Sequence, residues 1–72
     1  MPAYTQLLNE SMIRRTPLHV NRLSAWCANR SQLATALQQA RDLGVELKGV
    51  HTLDAGLQKE YLGMASPNPR AY

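Results

Sequence analysis

The sequence predicts a mainly α-helical domain of three to four helices, with one short strand over residues 45–50. Two observations predict this class. Apolar side chains recur at helical spacing through most of the chain, and they are chiefly Leu and Ala, with no Phe among the 72 residues. We expect a single domain over residues 1–65 and a flexible tail over residues 66–72, which holds two prolines and no apolar run.

Size and composition limit what this domain can be. A chain of 72 residues builds a thin core, and Cys27 is its single cysteine, so no disulfide within the chain can reinforce it. The first residues lack a basic start followed by an apolar run, which argues against a secretory signal. No apolar stretch approaches the roughly 20 residues that span a bilayer. We therefore expect a cytoplasmic protein that is not inserted in a membrane.

The clearest helix covers residues 31–44. Wound at 100° per residue, it places its apolar side chains in one arc and ends at Gly44, which accepts the left-handed conformation that follows many helices. Its start has two candidates: Ser31 could cap it alone, or Asn29 could cap it with Gln32 reaching back. The apolar arc comprises Leu33, Ala36, Leu37, Ala40 and Leu43.

Two further helices are predicted before this one. The first covers residues 3–15, with Tyr4, Leu8 and Met12 along one stripe. Proline disfavours helix at the residue before it and suits a first helical turn, so Thr16 should cap a second helix that begins at Pro17. We expect that helix to reach about Asn29, or to continue into the next one. Its buried face would hold Val20, Leu23, Trp26 and Cys27, with Trp26 the largest side chain of the core.

The character of the chain changes after Gly44. Apolar and charged residues alternate from Val45 to Lys48, which predicts a short strand. A lone strand cannot satisfy its own backbone groups, so we expect it to pair with a second subunit, another protein or the chain termini. A homodimer would meet that need and enlarge the thin core. A last helix should follow, capped by Asp54 or by Thr52.

Charge is distributed unevenly along the chain. The net charge is +3, and four arginines against Glu10 place the whole excess within residues 1–30. If the first two helices form a hairpin, four basic side chains would converge at its corner and could bind phosphate or an acidic protein surface. Ordinary solvated arginines are the alternative interpretation. The four candidates are Arg14, Arg15, His19 and Arg22.

A second pattern is typical of a helix-turn-helix. Small and apolar residues around Gly44, over residues 40–53, follow the expected order, with residues 47–53 as the recognition helix. Gly49 inside that helix and Glu46 near the phosphates count against DNA binding. The side chains that would face the major groove are Lys48, His51 and Thr52.

No catalytic set is visible in the sequence. His19, Cys27 and His51 do not have the spacing of a zinc site, so we predict no metal, no cofactor and no enzyme activity. We expect a small regulatory or inhibitory protein that binds another macromolecule, with a protein as the favoured partner. A DNA-binding regulator and a structural subunit of a larger assembly are the alternatives. Apolar residues off the helix stripes could form the interface: Leu7, Ile13 and Leu62.

Overall fold

The computed structural model describes residues 2–63 and confirms a mainly helical domain. Its four α-helices are α1 (Ala3–Arg14), α2 (Val20–Ala25), α3 (Arg30–Leu43) and α4 (Ala55–Gly63). Two strands, β1 (Leu18–His19) and β2 (Leu47–Lys48), form a parallel pair, and a 3₁₀ turn covers Val50–Thr52. The predicted tail over residues 66–72 lies outside the described residues.

Helix α3 is at the centre of the fold. Helices α1, α2 and α4 all pack against it, and the buried leucines of the three longest helices meet in one cluster. Leu8, Leu23 and Leu37 are fully buried there. The apolar arc predicted for residues 31–44 is buried in this core except for Leu43, which is 38% exposed at the end of the helix.

The fold contains the same helix–strand unit twice. The strands pair in the register Leu18 with Leu47, an offset of 29 residues. The same offset relates the left-handed residues that end the two preceding helices, Arg15 after α1 and Gly44 after α3. The buried positions of the helices also coincide: Tyr4, Leu7, Leu8 and Ser11 in α1 match Leu33, Ala36, Leu37 and Ala40 in α3.

The strand predicted over residues 45–50 is shorter, and its partner lies within the chain. Strand β2 pairs with β1, and the Leu18 N–H donates to the Glu46 carbonyl at 2.9 Å. The predicted second helix includes residues 18–19, so the sequence prediction does not contain this partner. A two-residue pair needs no second subunit, which removes the strand as a reason to expect a homodimer.

The second helix begins later and ends earlier than predicted. Thr16 and Pro17 form an extended connection instead of a cap, and His19 caps α2 with its Nδ1 accepting from the Asn21 N–H at 3.1 Å. The helix stops at Ala25, and it is not continuous with α3. Pairing of β1 with β2 holds the chain extended at residues 18–19, and this prevents a helix from starting at Pro17.

Asn29 begins α3 by the two-sided cap that the sequence allowed. Its Oδ1 accepts from the Gln32 N–H at 2.9 Å, and Gln32 Oε1 accepts from the Ala28 N–H at 2.9 Å. The first bond satisfies a backbone donor of the first helical turn, and the second satisfies the N–H of Ala28 in the connection before the helix. The alternative cap, Ser31, lies inside the helix.

The recognition helix predicted over residues 47–53 is wrong. Residues 47–48 are strand, Gly49 is left-handed with φ of 78°, and residues 50–52 form the 3₁₀ turn. Strand pairing and the turn at Gly49 leave no room for a continuous helix. Helix α4 starts after Asp54, whose Oδ1 accepts from the Leu57 N–H at 2.9 Å, so Asp54 is the cap and Thr52 is not.

Candidate functional site

A small groove runs between α1 and the end of α2. Leu7 forms its floor and is 4% exposed. Gln6 and Glu10 line it from α1, while Arg22 and Trp26 line it from the other side. All four of these side chains are exposed. The groove therefore has an apolar base with charged and aromatic edges.

Trp26 is open to solvent, and its prediction as the largest core residue is wrong. It is 40% exposed. Because α2 stops at Ala25, Trp26 follows the last helical residue, where its N–H donates to the Leu23 carbonyl at 3.0 Å. The core is closed without it by Val20 and Leu23, which are buried as predicted.

Ile13 and Arg14 extend this groove along α1. They follow Glu10 by three and four residues, so they lie one helical turn from it on the same side of the helix. Ile13 is 75% exposed, the highest value among the large hydrophobic residues that the structure describes. We name this surface the α1–α2 face; it comprises Gln6, Glu10, Ile13, Arg14, Arg22 and Trp26 over the floor residue Leu7.

The arginines of the N-terminal half differ in whether they form an ion pair. Arg30 binds Asp54 through both branches of its guanidinium, at 2.8 and 3.2 Å, and this joins the starts of α3 and α4. It is the one ion pair within residues 2–63. Arg14 and Arg22 form no ion pair with a residue in that range. The α1–α2 face therefore carries two guanidinium groups and one carboxylate, that of Glu10, which leaves it with a net positive charge.

The four basic residues predicted to converge do not form one corner. Arg15 is the left-handed residue after α1 and lines a separate groove with Leu43 and Glu46, between the ends of α1 and α3. The imidazole of His19 lies against Gly49, the residue that follows strand β2. Of the four, the α1–α2 face holds Arg14 and Arg22.

The three apolar interface candidates also separate. Leu7 is buried, so its prediction as an exposed contact is wrong; it supports the groove from below. Ile13 and Leu62 are exposed, Leu62 at 56%. Leu62 belongs to α4, which is joined to α3 by a hydrogen bond from Arg41 to the Tyr61 carbonyl at 3.2 Å. It is thus on a different helix from the α1–α2 face.

The residues proposed to read DNA do not share a helix. Lys48 lies in β2 opposite His19, while His51 and Thr52 lie in the 3₁₀ turn. The Thr52 hydroxyl donates to the Gly49 carbonyl at 2.6 Å and is used within the turn.

Another shallow groove runs between α1 and α3. Leu8 and Leu43 contribute its apolar surface, with Thr5, Asn9 and Gln39 beside them. Met12 lines the neighbouring groove at the ends of α1 and α3. Met12 and Leu43 are each 38% exposed, so neither is buried in the apolar stripe to which the sequence assigned it. No arginine lines this groove.

Cys27 is partly buried and packs against the core. Its thiol donates to the Leu23 carbonyl at 3.3 Å, and burial raises its pKa from the ordinary value of 9.0. A thiol with a raised pKa is protonated at neutral pH and is a poor nucleophile. Within residues 2–63, no three His, Cys, Asp or Glu side chains are grouped closely enough to hold a metal ion.

Comparison with known proteins gives no relative. No protein-family model, no curated protein and no solved structure matches the chain significantly. Among the described helices, none is long and apolar enough to cross a membrane.

Proposed function

We propose that this chain is a small cytoplasmic regulatory protein that acts by binding another protein through the α1–α2 face. One observation carries the proposal. Trp26 and Ile13, two large apolar side chains, are exposed on the same surface as two arginines that form no ion pair within residues 2–63. Such a surface is costly to leave in water and gains free energy when a partner covers it.

The composition of this face supports a protein partner. Trp and Arg are enriched among the residues that dominate binding energy at protein interfaces, where an apolar centre is surrounded by polar groups. The α1–α2 face has that arrangement, with Trp26 over Leu7 and charged side chains at the edge. The proposed role is binding without catalysis.

The test is a quantitative affinity capture from a lysate of the source cells with tagged full-length chain. The double variant Ile13→Ser, Arg14→Gln removes one apolar and one cationic group from the face. Both residues are exposed, so the fold should be unaffected, which circular dichroism checks. We expect the proteins captured specifically by the wild type to be lost with this variant.

A matched control exists on α4. Leu62→Ser with Lys59→Gln likewise removes one large aliphatic and one cationic side chain, at exposed positions outside the α1–α2 face. Capture should be retained with this control. Loss with the control and retention with the α1 variant would move the interface to α4 and contradict the proposal, as would the absence of any specific capture.

A further inference from the structure

We infer that the α1–α2 face binds an acidic peptide segment that inserts one large apolar side chain between α1 and Trp26. This inference rests on the proposed function and specifies the chemistry of the partner. It follows from the size of the groove, the exposure of its aromatic wall and the placement of its charges.

The groove has room for one side chain. Its volume is about 220 Å³. Pockets that enclose small-molecule ligands measure about 300–1,000 Å³. A groove of this size, with buried Leu7 below and Trp26 beside it, suits a single aliphatic or aromatic side chain better than a cofactor. Ile13, one turn along α1 from Glu10, adds apolar contact for the residues that follow.

The charges of the α1–α2 face determine which residues of the peptide can flank its apolar side chain. Arg22 lines the groove, and Arg14 lies one turn from Glu10 on α1. Guanidinium groups bind carboxylates through two parallel hydrogen bonds, so acidic residues on either side of the apolar anchor would meet a complementary partner. The Glu10 carboxylate repels peptide carboxylates that lie directly above it. This repulsion lowers the affinity and restricts the positions that the acidic residues of the peptide can occupy.

The same features favour a peptide over a nucleic acid. A phosphate backbone carries negative charge at every unit and would approach the Glu10 carboxylate wherever it crossed the groove. Ile13 offers apolar packing that a peptide side chain uses and a sugar–phosphate chain does not. An acidic peptide can place its carboxylates over the arginines and its apolar residue over the groove.

Trp26 provides a direct signal for binding, because it is the single tryptophan of the chain. Its fluorescence is followed while full-length protein is titrated with a synthetic peptide of about twelve residues, rich in Glu and Asp, with two leucines four residues apart. Comparison probes are the same peptide with both leucines replaced by serine, the same peptide with lysine in place of the acids, and an oligothymidylate of equal charge. We expect a saturable shift of the emission to shorter wavelength with the acidic leucine peptide.

Three exposed substitutions then report on charge. Arg22→Gln should weaken binding about 3- to 5-fold, the range of one exposed ion pair. Glu10→Gln should tighten binding by a similar factor, which a merely structural role of Glu10 would not produce. Lys59→Gln on α4 is the matched cation control and should leave affinity unchanged. Added salt should weaken binding to the wild type more than to Arg22→Gln.

The outcomes separate this inference from the proposed function. Equal binding of the lysine peptide, or no binding of the acidic peptide up to about 1 mM, overturns the acidic-peptide inference. Binding of the oligothymidylate without the peptide would instead indicate a nucleic-acid partner. If the capture experiment shows a protein partner that depends on Ile13 and Arg14 while the peptide fails, the proposed function stands and this inference does not.

Discussion

Gly49 lies directly against the imidazole of His19. Gly49 has φ of 78°, and a methyl group on it would overlap the imidazole of His19. Gly49→Ala should therefore lower the free energy of unfolding by more than the roughly 1 kcal/mol that a left-handed alanine costs. Urea denaturation followed by circular dichroism measures the loss.

Two comparisons isolate the contact with His19. Gly44 also has a positive φ, at 76°, but no atom lies near the position that a methyl group on it would occupy. Gly44→Ala should therefore lower the free energy of unfolding only by the cost of placing alanine in the left-handed conformation. In the background of His19→Ala, the extra cost of Gly49→Ala should disappear, because the overlapping ring is gone. Equal costs at the two glycines would show that the ring moves aside freely.

Arg15 is the residue of the first helix–strand unit that corresponds to Gly44 in the second unit. It ends α1 with φ of 56°, and its N–H and that of Thr16 donate to the Met12 and Ser11 carbonyls. A residue with a Cβ is strained in this conformation by about 1 kcal/mol. We expect Arg15→Gly to raise the free energy of unfolding by about that amount, measured by urea denaturation; destabilisation would mean that the Arg15 side chain contributes more than its backbone strain costs.

At the scale of elements, the cap of α3 decides where two helices separate. Asn29 and Gln32 satisfy backbone donors from both sides of the boundary. Asn29→Ala should lower the free energy of unfolding by about 1 kcal/mol, while Asn29→Ser should retain most of the stability. The thermal midpoint and urea unfolding check both; equal losses for the two variants would argue against a role for the side-chain acceptor.

The sequence predicts best the elements whose start, period and end are determined by residues within the element itself. Residues 31–44 carry their own period, their cap at Asn29 and their stop at Gly44, and they form a helix as expected. The strands β1 and β2 have two residues each and exist because Leu18 pairs with Leu47, a contact between distant parts of the chain. Local propensity at Thr16 and Pro17 favours a helix start, and strand pairing overrides it.

The candidate site was predicted only in part for the same reason. Arg14, Arg22 and Ile13 were identified from charge and helical spacing. Trp26 was missed because the second helix was extended to Asn29, which places Trp26 on the apolar face. A helix that starts after a cap at Asn29 requires the preceding helix to end before residue 29, which is the signal in the sequence for a shorter second helix. In the structure that helix ends at Ala25, so residue 26 lies in the connection.

At the scale of the whole molecule, stability depends on few side chains. A domain of 72 residues has a free energy of unfolding of about 4 to 11 kcal/mol. Leu37 is fully buried at the centre of α3, the helix against which the other three pack. Leu37→Ala removes packing to several helices at once and should cost about 2 to 5 kcal/mol. That is a large share of the total, so we expect a thermal midpoint lowered by tens of degrees or a chain without cooperative unfolding.

The same helix offers a control of identical chemistry. Leu43 lies six residues further along α3 and is 38% exposed, at the groove shared with α1. Leu43→Ala should cost less than about 1 kcal/mol, because much of its side chain already contacts water. Calorimetry on both variants compares a central with a peripheral leucine in one helix. If the two losses were equal, the full burial of Leu37 would contribute no more to stability than the partial burial of Leu43, and the central position of Leu37 in the core would not set the stability of the domain.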